Sequence, residues 1–348
     1  MKHNLKNKSI LKYLKDILAI PSPTGNTYNA MDYIVKTLKE IGADYTITNK
    51  GAVIASIKGK NDNYQRTFSA HLDTLGAMVK EIKSNGSLGI TPVGGFMMSS
   101  IDGENCLIET IDNRVYTGTI QNIMPSVHIS GDEARELKKT AKNMEIILDE
   151  KVFNKVDVEG LGINIGDFVS FDTRTVFTEK GFVKSRHLDD KASAAVLLYI
   201  IEYIISSKIE LPYTTNFFIS NYEEVGHGAK ASHPVNTKEF IAVDMGAPGP
   251  GQNSSEYSVC ICAKDSSGPY DLELKKKLVQ VCRDNSISYK IDIYPYYGSD
   301  ASAALSAGWD FKTALIGPGV FASHAYERTH SDALMATAQL VLEYSLTE

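Results

Sequence analysis

Five short segments each close an apolar, strand-like run on a carboxylate or an imidazole: Ser69-Ala70-His71-Leu72-Asp73, His187-Leu188-Asp189-Asp190, Asn221-Tyr222-Glu223-Glu224, Val243-Asp244 and Arg328-Thr329-His330. Two imidazoles and several acids are the donor inventory of a pair of zinc-like ions. Nitrogen and oxygen donors without cysteine admit zinc, cobalt or manganese. A parallel α/β sheet carries its chemistry in the loops at the carboxyl ends of its strands, so segments far apart in the chain can converge there on one cleft.

Each segment has its own logic. Glu223-Glu224 lies between Phe217-Phe218-Ile219-Ser220 and the turn Val225-Gly226-His227-Gly228. Adjacent side chains on an extended segment point to opposite sides. One acid can therefore ligate metal while its neighbour faces the reacting water as general base. An isolated Glu-Glu pair would be only a solvated acidic turn; the other four segments change that reading. Residues two apart on a strand share a face, which places Asp73 to accept the distal N–H of His71 and leaves the other ring nitrogen for metal. Asp189-Asp190 precedes a helical run from Lys191, where one aspartate would suffice as a cap; a carboxylate bridging two cations explains an acid held there. Asp244, before Met245-Gly246-Ala247-Pro248-Gly249, is either a turn former or a ligand. His330 lies just before the last helix, capped by Ser331 or Asp332, and is taken as a ligand because the set lacks a second imidazole. His227 and His324 stand in reserve.

The elements that must position these donors follow from periodicity. Residues 5–20 alternate apolar and lysine positions at helical spacing and stop at Ile20-Pro21-Ser22-Pro23-Thr24-Gly25, where two prolines and a glycine cannot continue a helix. A second helix spans 27–41, followed by strands over 43–48 and 52–57 and a short buried strand that delivers His71. From about 75 to 175 the chain changes to short strands punctuated by glycine, with one polar helical segment at roughly 133–142. After Gly181, helix and strand alternate again: helices over 191–205, 272–282, 301–306 and 332–344, strands over 215–220, 240–243, 289–293 and 313–316. The expected fold is α/β, a mixed central sheet flanked by helices, split by a small β-barrel-like insertion.

Composition narrows the function. At 348 residues with 43% hydrophobic and 22% charged residues, the chain has two domains' worth of ordinary globular sequence. A net charge of −6 argues against a general nucleic-acid binder and favours a small-molecule or peptide partner. Neither a secretory signal nor a run of membrane-spanning length is visible, so a cytoplasmic location with no membrane partner is expected. Cys106, Cys260, Cys262 and Cys282 are irregularly spaced, as reduced buried thiols are. Cys260-Ile261-Cys262 reads as strand alternation rather than a thiolate site.

In order and local sequence the chain resembles the dinuclear metallo-aminopeptidases that include the glutamyl aminopeptidases and the tetrahedral (TET) aminopeptidases. The resemblance runs through Ile20–Gly25, His71-Leu72-Asp73, a β insertion ending in Gly162-Ile163-Asn164-Ile165-Gly166-Asp167-Phe168-Val169, Leu188-Asp189-Asp190-Lys191, Glu223-Glu224-Val225-Gly226, Asp244, Ser299-Asp300-Ala301 and His330-Ser331. It implies that Asp189 bridges two divalent ions, that Glu224 and His330 complete one site, and that His71 and Asp244 complete the other. Glu223 would be the general base toward a metal-activated water, Asp73 the partner of His71, and the Asp189–Asp190 peptide cis. The implied activity is removal of N-terminal residues from short peptides. The implied organisation is a zinc-peptidase-like catalytic domain over 1–75 and 176–348, an oligomerisation domain over 76–175, and a homo-oligomer that reaches a dodecamer. The chain departs from the family pattern at Lys191 (commonly arginine), at Ser193 (frequently glycine) and at Glu327-Arg328-Thr329-His330 (usually Arg-Tyr-x-His). These departures bear on substrate preference and on the architecture near His330. A deacetylase or other amidohydrolase using the same metals, and a non-catalytic scaffold, are the competing readings.

Overall fold

The segment Leu188–Ser206 is apolar on every side, and a helix that is hydrophobic all round must be buried. In the computed structural model, which describes residues 3–348, this helix packs on helices Asn7–Leu18, Tyr28–Ile41 and Ser331–Ser345 and on strand Asn61–His71. Asn7–Leu18 and Tyr28–Ile41 are amphipathic, Ser331–Ser345 is buried over most of its length, and together they turn Ile10, Leu14, Ile17, Ile34, Leu38, Leu334 and Val341 into the same core. Beneath lies an eight-stranded mixed sheet in the order Asp44–Ile47, Val53–Ile57, Tyr213–Ser220, Asn61–His71, Thr237–Val243, Lys312–Pro318, Val259–Lys264, Tyr289–Ile293. Its four central strands, from Tyr213–Ser220 to Lys312–Pro318, are mutually parallel, so their carboxyl ends open on one edge. Ser220 pairs with His71, and Val243 with Ile316. That register sets His71, the Asn221–Glu224 turn and Asp244 side by side. Gly317 permits it, because a Cβ there would lie 1.4 Å from the Asp244 carbonyl oxygen.

The chain divides into two compact units, Met1–Asp73 with Arg174–Glu348, and Thr74–Thr173. The second unit is a closed barrel of strands Gly76–Ile82, Leu88–Val93, Met144–Leu148, Val115–Asn122, Asn105–Glu109 and Phe168–Phe171. Ile90, Ile108, Ile120, Ile146 and Val169 fill its interior. Its longer helix lies at Val127–Glu136, earlier than the polar pattern at 133–142 suggests, with the backbone leaving helical geometry at Gly131, and a second, short helix spans Lys155–Gly160. Among the described residues, no helix is long and apolar enough to cross a membrane.

One buried base in the first unit makes stability depend on pH. The His233 ring is enclosed by Phe218, Phe240, Trp309 and Phe311, and its Nε2 donates to the Ala229 carbonyl at 2.5 Å. Burial lowers its pKa to about 4. The folded state therefore keeps the imidazole neutral while the unfolded chain protonates below about 6.5. Its contribution is fully present above that pH and is lost as pH falls from about 6.5 toward 4, by at most roughly 3 kcal/mol. Urea midpoints measured between pH 7.5 and 4 should fall more steeply for the native chain than for His233→Gln; parallel curves would remove His233 as the cause.

Candidate metal centre

His71 is the last residue of its strand and is 2% exposed. Its Nε2 lies 3.2 Å from Asp189 Oδ1 and 3.8 Å from Glu223 Oε2. Donor atoms of His71, Glu223 and Asp244 lie within 4.8 Å of one another, as do those of His71, Asp189 and Glu224. Two overlapping donor groups thus meet at one imidazole, and either could hold a cation.

Asp73 takes a different part from the one the strand alternation predicts. His71 Nδ1 pairs at 2.8 Å with the backbone carbonyl of Asp73, whose Oδ1 lies 3.7 Å away. The Asp73 carboxylate instead accepts the amides of Glu223 and Glu224 at 3.1 and 3.2 Å and the Thr24 hydroxyl at 2.6 Å. The cause is local: the strand ends at His71, so the two-residue alternation no longer governs where Asp73 points. One residue therefore fixes the imidazole through its carbonyl and the paired glutamates through its side chain. Asp300 secures the same turn from below, accepting from Ala229 N at 2.8 Å and from the Ser220 hydroxyl.

The Asp189–Asp190 peptide is cis. Asp190 is wholly buried and accepts the His71 amide at 3.1 Å, so it braces that residue from behind.

His330 is not brought to this cluster, which corrects the sequence expectation. Its strand, Glu327–His330, pairs antiparallel with Phe182–Ser185 and sets His330 opposite Phe182. Both ring nitrogens are occupied: Nδ1 accepts the Asp332 amide at 3.1 Å as the cap of the last helix, and Nε2 pairs with the Lys180 carbonyl at 2.8 Å. The imidazole that does reach the cluster is His324. Its Nε2 lies 3.4 Å from Asp189 Oδ2 and 3.5 Å from Glu224 Oε2, and the neighbouring Ser323 hydroxyl donates to Asp189 Oδ2 at 2.8 Å. The altered Glu327–His330 motif is the sequence signal for the different placement of this imidazole.

The electrostatics fit a cationic occupant. Burial first, and the Asp189 charge second, push Glu224 up to about 8 and Asp244 up to about 7. Burial likewise pushes Glu223 well upward. Glu224 Oε1 is buried with no hydrogen-bond partner, an acceptor that the protein leaves unsatisfied although such atoms are costly. Divalent ions would satisfy that oxygen and let the acids ionise together.

The sequence pattern of the M42 glutamyl aminopeptidase family matches residues 51–340. A Bacillus subtilis protein named Putative aminopeptidase YhfE is 52% identical over 337 residues, covering 97% of each chain. Among solved structures, a TET aminopeptidase from a marine sediment archaeon, Thaumarchaeota archaeon SCGC AB-539-E09, superposes with a TM-score of 0.88 at 19% identity, covering 97% of this chain and 96% of that one. The Pyrococcus horikoshii TET1 peptidase, described as able to assemble into a tetrahedron or a large octahedral shell, superposes with a TM-score of 0.85 at 23% identity, covering 98% and 100%.

Proposed function

This chain belongs to the M42 glutamyl aminopeptidase family, and from that premise we propose that it is a dinuclear metal-dependent aminopeptidase with Glu223 as general base. The peptidase assignment itself comes with the family. The observation that carries the metal reading is the buried Asp189 carboxylate, whose two oxygens face different imidazoles, Oδ1 facing His71 at 3.2 Å and Oδ2 facing His324 at 3.4 Å. His71, Asp189 and Asp244 would hold one divalent ion, and Asp189, Glu224 and His324 the other. Zinc, cobalt and manganese all suit these donors. Such ions, when bound, polarise a peptide carbonyl and acidify water.

The chain's own residues supply the proton transfers. Glu223, with 14% of its side chain exposed, is the acid that faces both the cluster and solvent. Its carboxylate takes a proton from the attacking water as the C–O bond forms and returns it to the amine nitrogen as the C–N bond breaks. Asp73 holds Glu223 for that exchange through the backbone amide. A free substrate α-amine, cationic or donating to metal, suits an acid-rich cleft and makes the enzyme an exopeptidase on short peptides.

A panel of aminoacyl-p-nitroanilides, free and N-acetylated, tests this reading with chelator-stripped protein and zinc, cobalt or manganese added back. The expected result is metal-restored cleavage of the free set alone. Cleavage confined to the acetylated set would make the protein an amidohydrolase, and the Glu223 chemistry would then act on acyl groups.

The proposal extends to assembly and location. Ile111, Ile129 and Phe153 on the barrel unit are 82, 88 and 79% exposed in the single chain, and large apolar side chains left in water favour burial against another copy. With structural neighbours that are TET peptidases, a homo-oligomer reaching a dodecamer is expected, and light scattering that showed a monomer at micromolar concentration would contradict it. Four free, buried thiols fit a reducing cytoplasm.

A further inference from the structure

We propose that Glu327 is a positioning residue that acts mainly on binding of one ion, the one contributed to by Glu224 and His324, by clamping the backbone of His324 to that of Asp189. The inference rests on the dinuclear reading above and assigns a role to a buried acid that the hydrolytic chemistry leaves unused.

The clamp is visible in the hydrogen bonds. Glu327 is 2% exposed. One carboxylate oxygen accepts the Asp189 amide at 3.0 Å, and the other accepts the His324 amide at 3.0 Å. Two ligating residues remote in sequence are thus tied through a single side chain. A carboxylate is the group that accepts on both oxygens; a carboxamide accepts on one and offers a donor on the other, so it would face one amide N–H with its own N–H. Placing a negative charge against Asp189 is unfavourable in the protein alone, and a cation beside Asp189 offsets it.

The loop needs holding. Ala322 and His324 both have left-handed backbones, φ 59° and 64°, a region that costs a residue with a Cβ about 1–2 kcal/mol. The loop is closed at its base by two hydrogen bonds between Phe321 and Arg328, and the Glu327 carboxylate crosses its interior to reach His324. Without that acceptor the buried amide of Asp189 and the part-buried amide of His324 lose this bond, and the loop can relax and turn the imidazole away.

The other ion shares Asp189 but has further supports that do not involve Glu327. His71 is braced by Asp190 and by the Asp73 carbonyl, and the Asp244 amide donates to Ile316 O at 2.8 Å. Asymmetry is therefore the signature: loss of the clamp at Glu327 weakens one site more than the other, whereas general damage to the fold weakens both alike.

The experiment is calorimetric titration of metal-stripped native chain, Glu327→Gln and Glu327→Ala with Co²⁺, with kcat and KM measured at limiting and excess metal. Native protein should take up two ions. Both variants should bind one ion nearly as tightly as the native chain does and the second about 10- to 100-fold more weakly, with a smaller loss for Gln because it keeps one acceptor. Excess metal should restore kcat at unchanged KM. Should the Ala variant not fold by circular dichroism, the near-isosteric Gln variant decides. Native affinity for both ions, or equal weakening of both, overturns the clamp while the dinuclear reading stands. Native protein that binds fewer than two ions overturns that reading and the clamp with it.

Discussion

Glu223→Gln should abolish turnover while leaving fold and metal content intact. The substitution keeps the shape of the side chain and the backbone amide that Asp73 accepts, so the paired-glutamate turn has no reason to move. What it removes is the ability to take a proton from water and return it to the leaving amine. General-base catalysis contributes about 10²- to 10⁴-fold, so kcat on a free aminoacyl-p-nitroanilide should fall by about three orders of magnitude. Metal analysis should still give the native ion count. A kcat within tenfold of native would show that another group takes the proton.

The second large effect separates two histidines. His324→Ala removes the imidazole nearest Asp189 Oδ2 and Glu224 Oε2, so the variant should hold one ion rather than two and lose at least about 100-fold in activity at limiting metal. His330→Ala should do something else. It removes a helix cap and the ring contacts to Phe182 and Tyr257 at 4.9 and 5.2 Å, lowering stability by about 1 kcal/mol for the cap while both ions stay. The reverse pattern, metal lost from His330→Ala and retained in His324→Ala, would restore the original assignment and overturn the site geometry described above.

What could be read from sequence tracks what strands and helices advertise. His71, Glu223, Glu224 and Asp244 are legible because each ends an apolar run, and parallel strands buried on both faces are such runs. Asp189 is legible because two aspartates open a helix whose all-apolar surface marks it as central. His324 is different. It sits in a left-handed loop with no periodicity, and no propensity rule separates it from His227 or His330. The small sheet of Val176–Phe177, Phe182–Ser185 and Glu327–His330 also escapes the pattern, because its strands are short and its pairing spans nearly half the chain. That sheet diverts His330 to the helix cap and leaves the place beside Asp189 and Glu224 to the preceding loop. Asp73 shows the remaining limit: a face predicted by alternation holds only while the strand continues, and this one stops two residues earlier.

The most direct test of the account is a crystal of the zinc-loaded protein with anomalous data collected at the zinc edge. Two adjacent peaks are predicted in the cleft, both touching Asp189, one completed by His71 and Asp244 and the other by Glu224 and His324. A single peak, or a second peak ligated by His330 with His324 turned away, would contradict it.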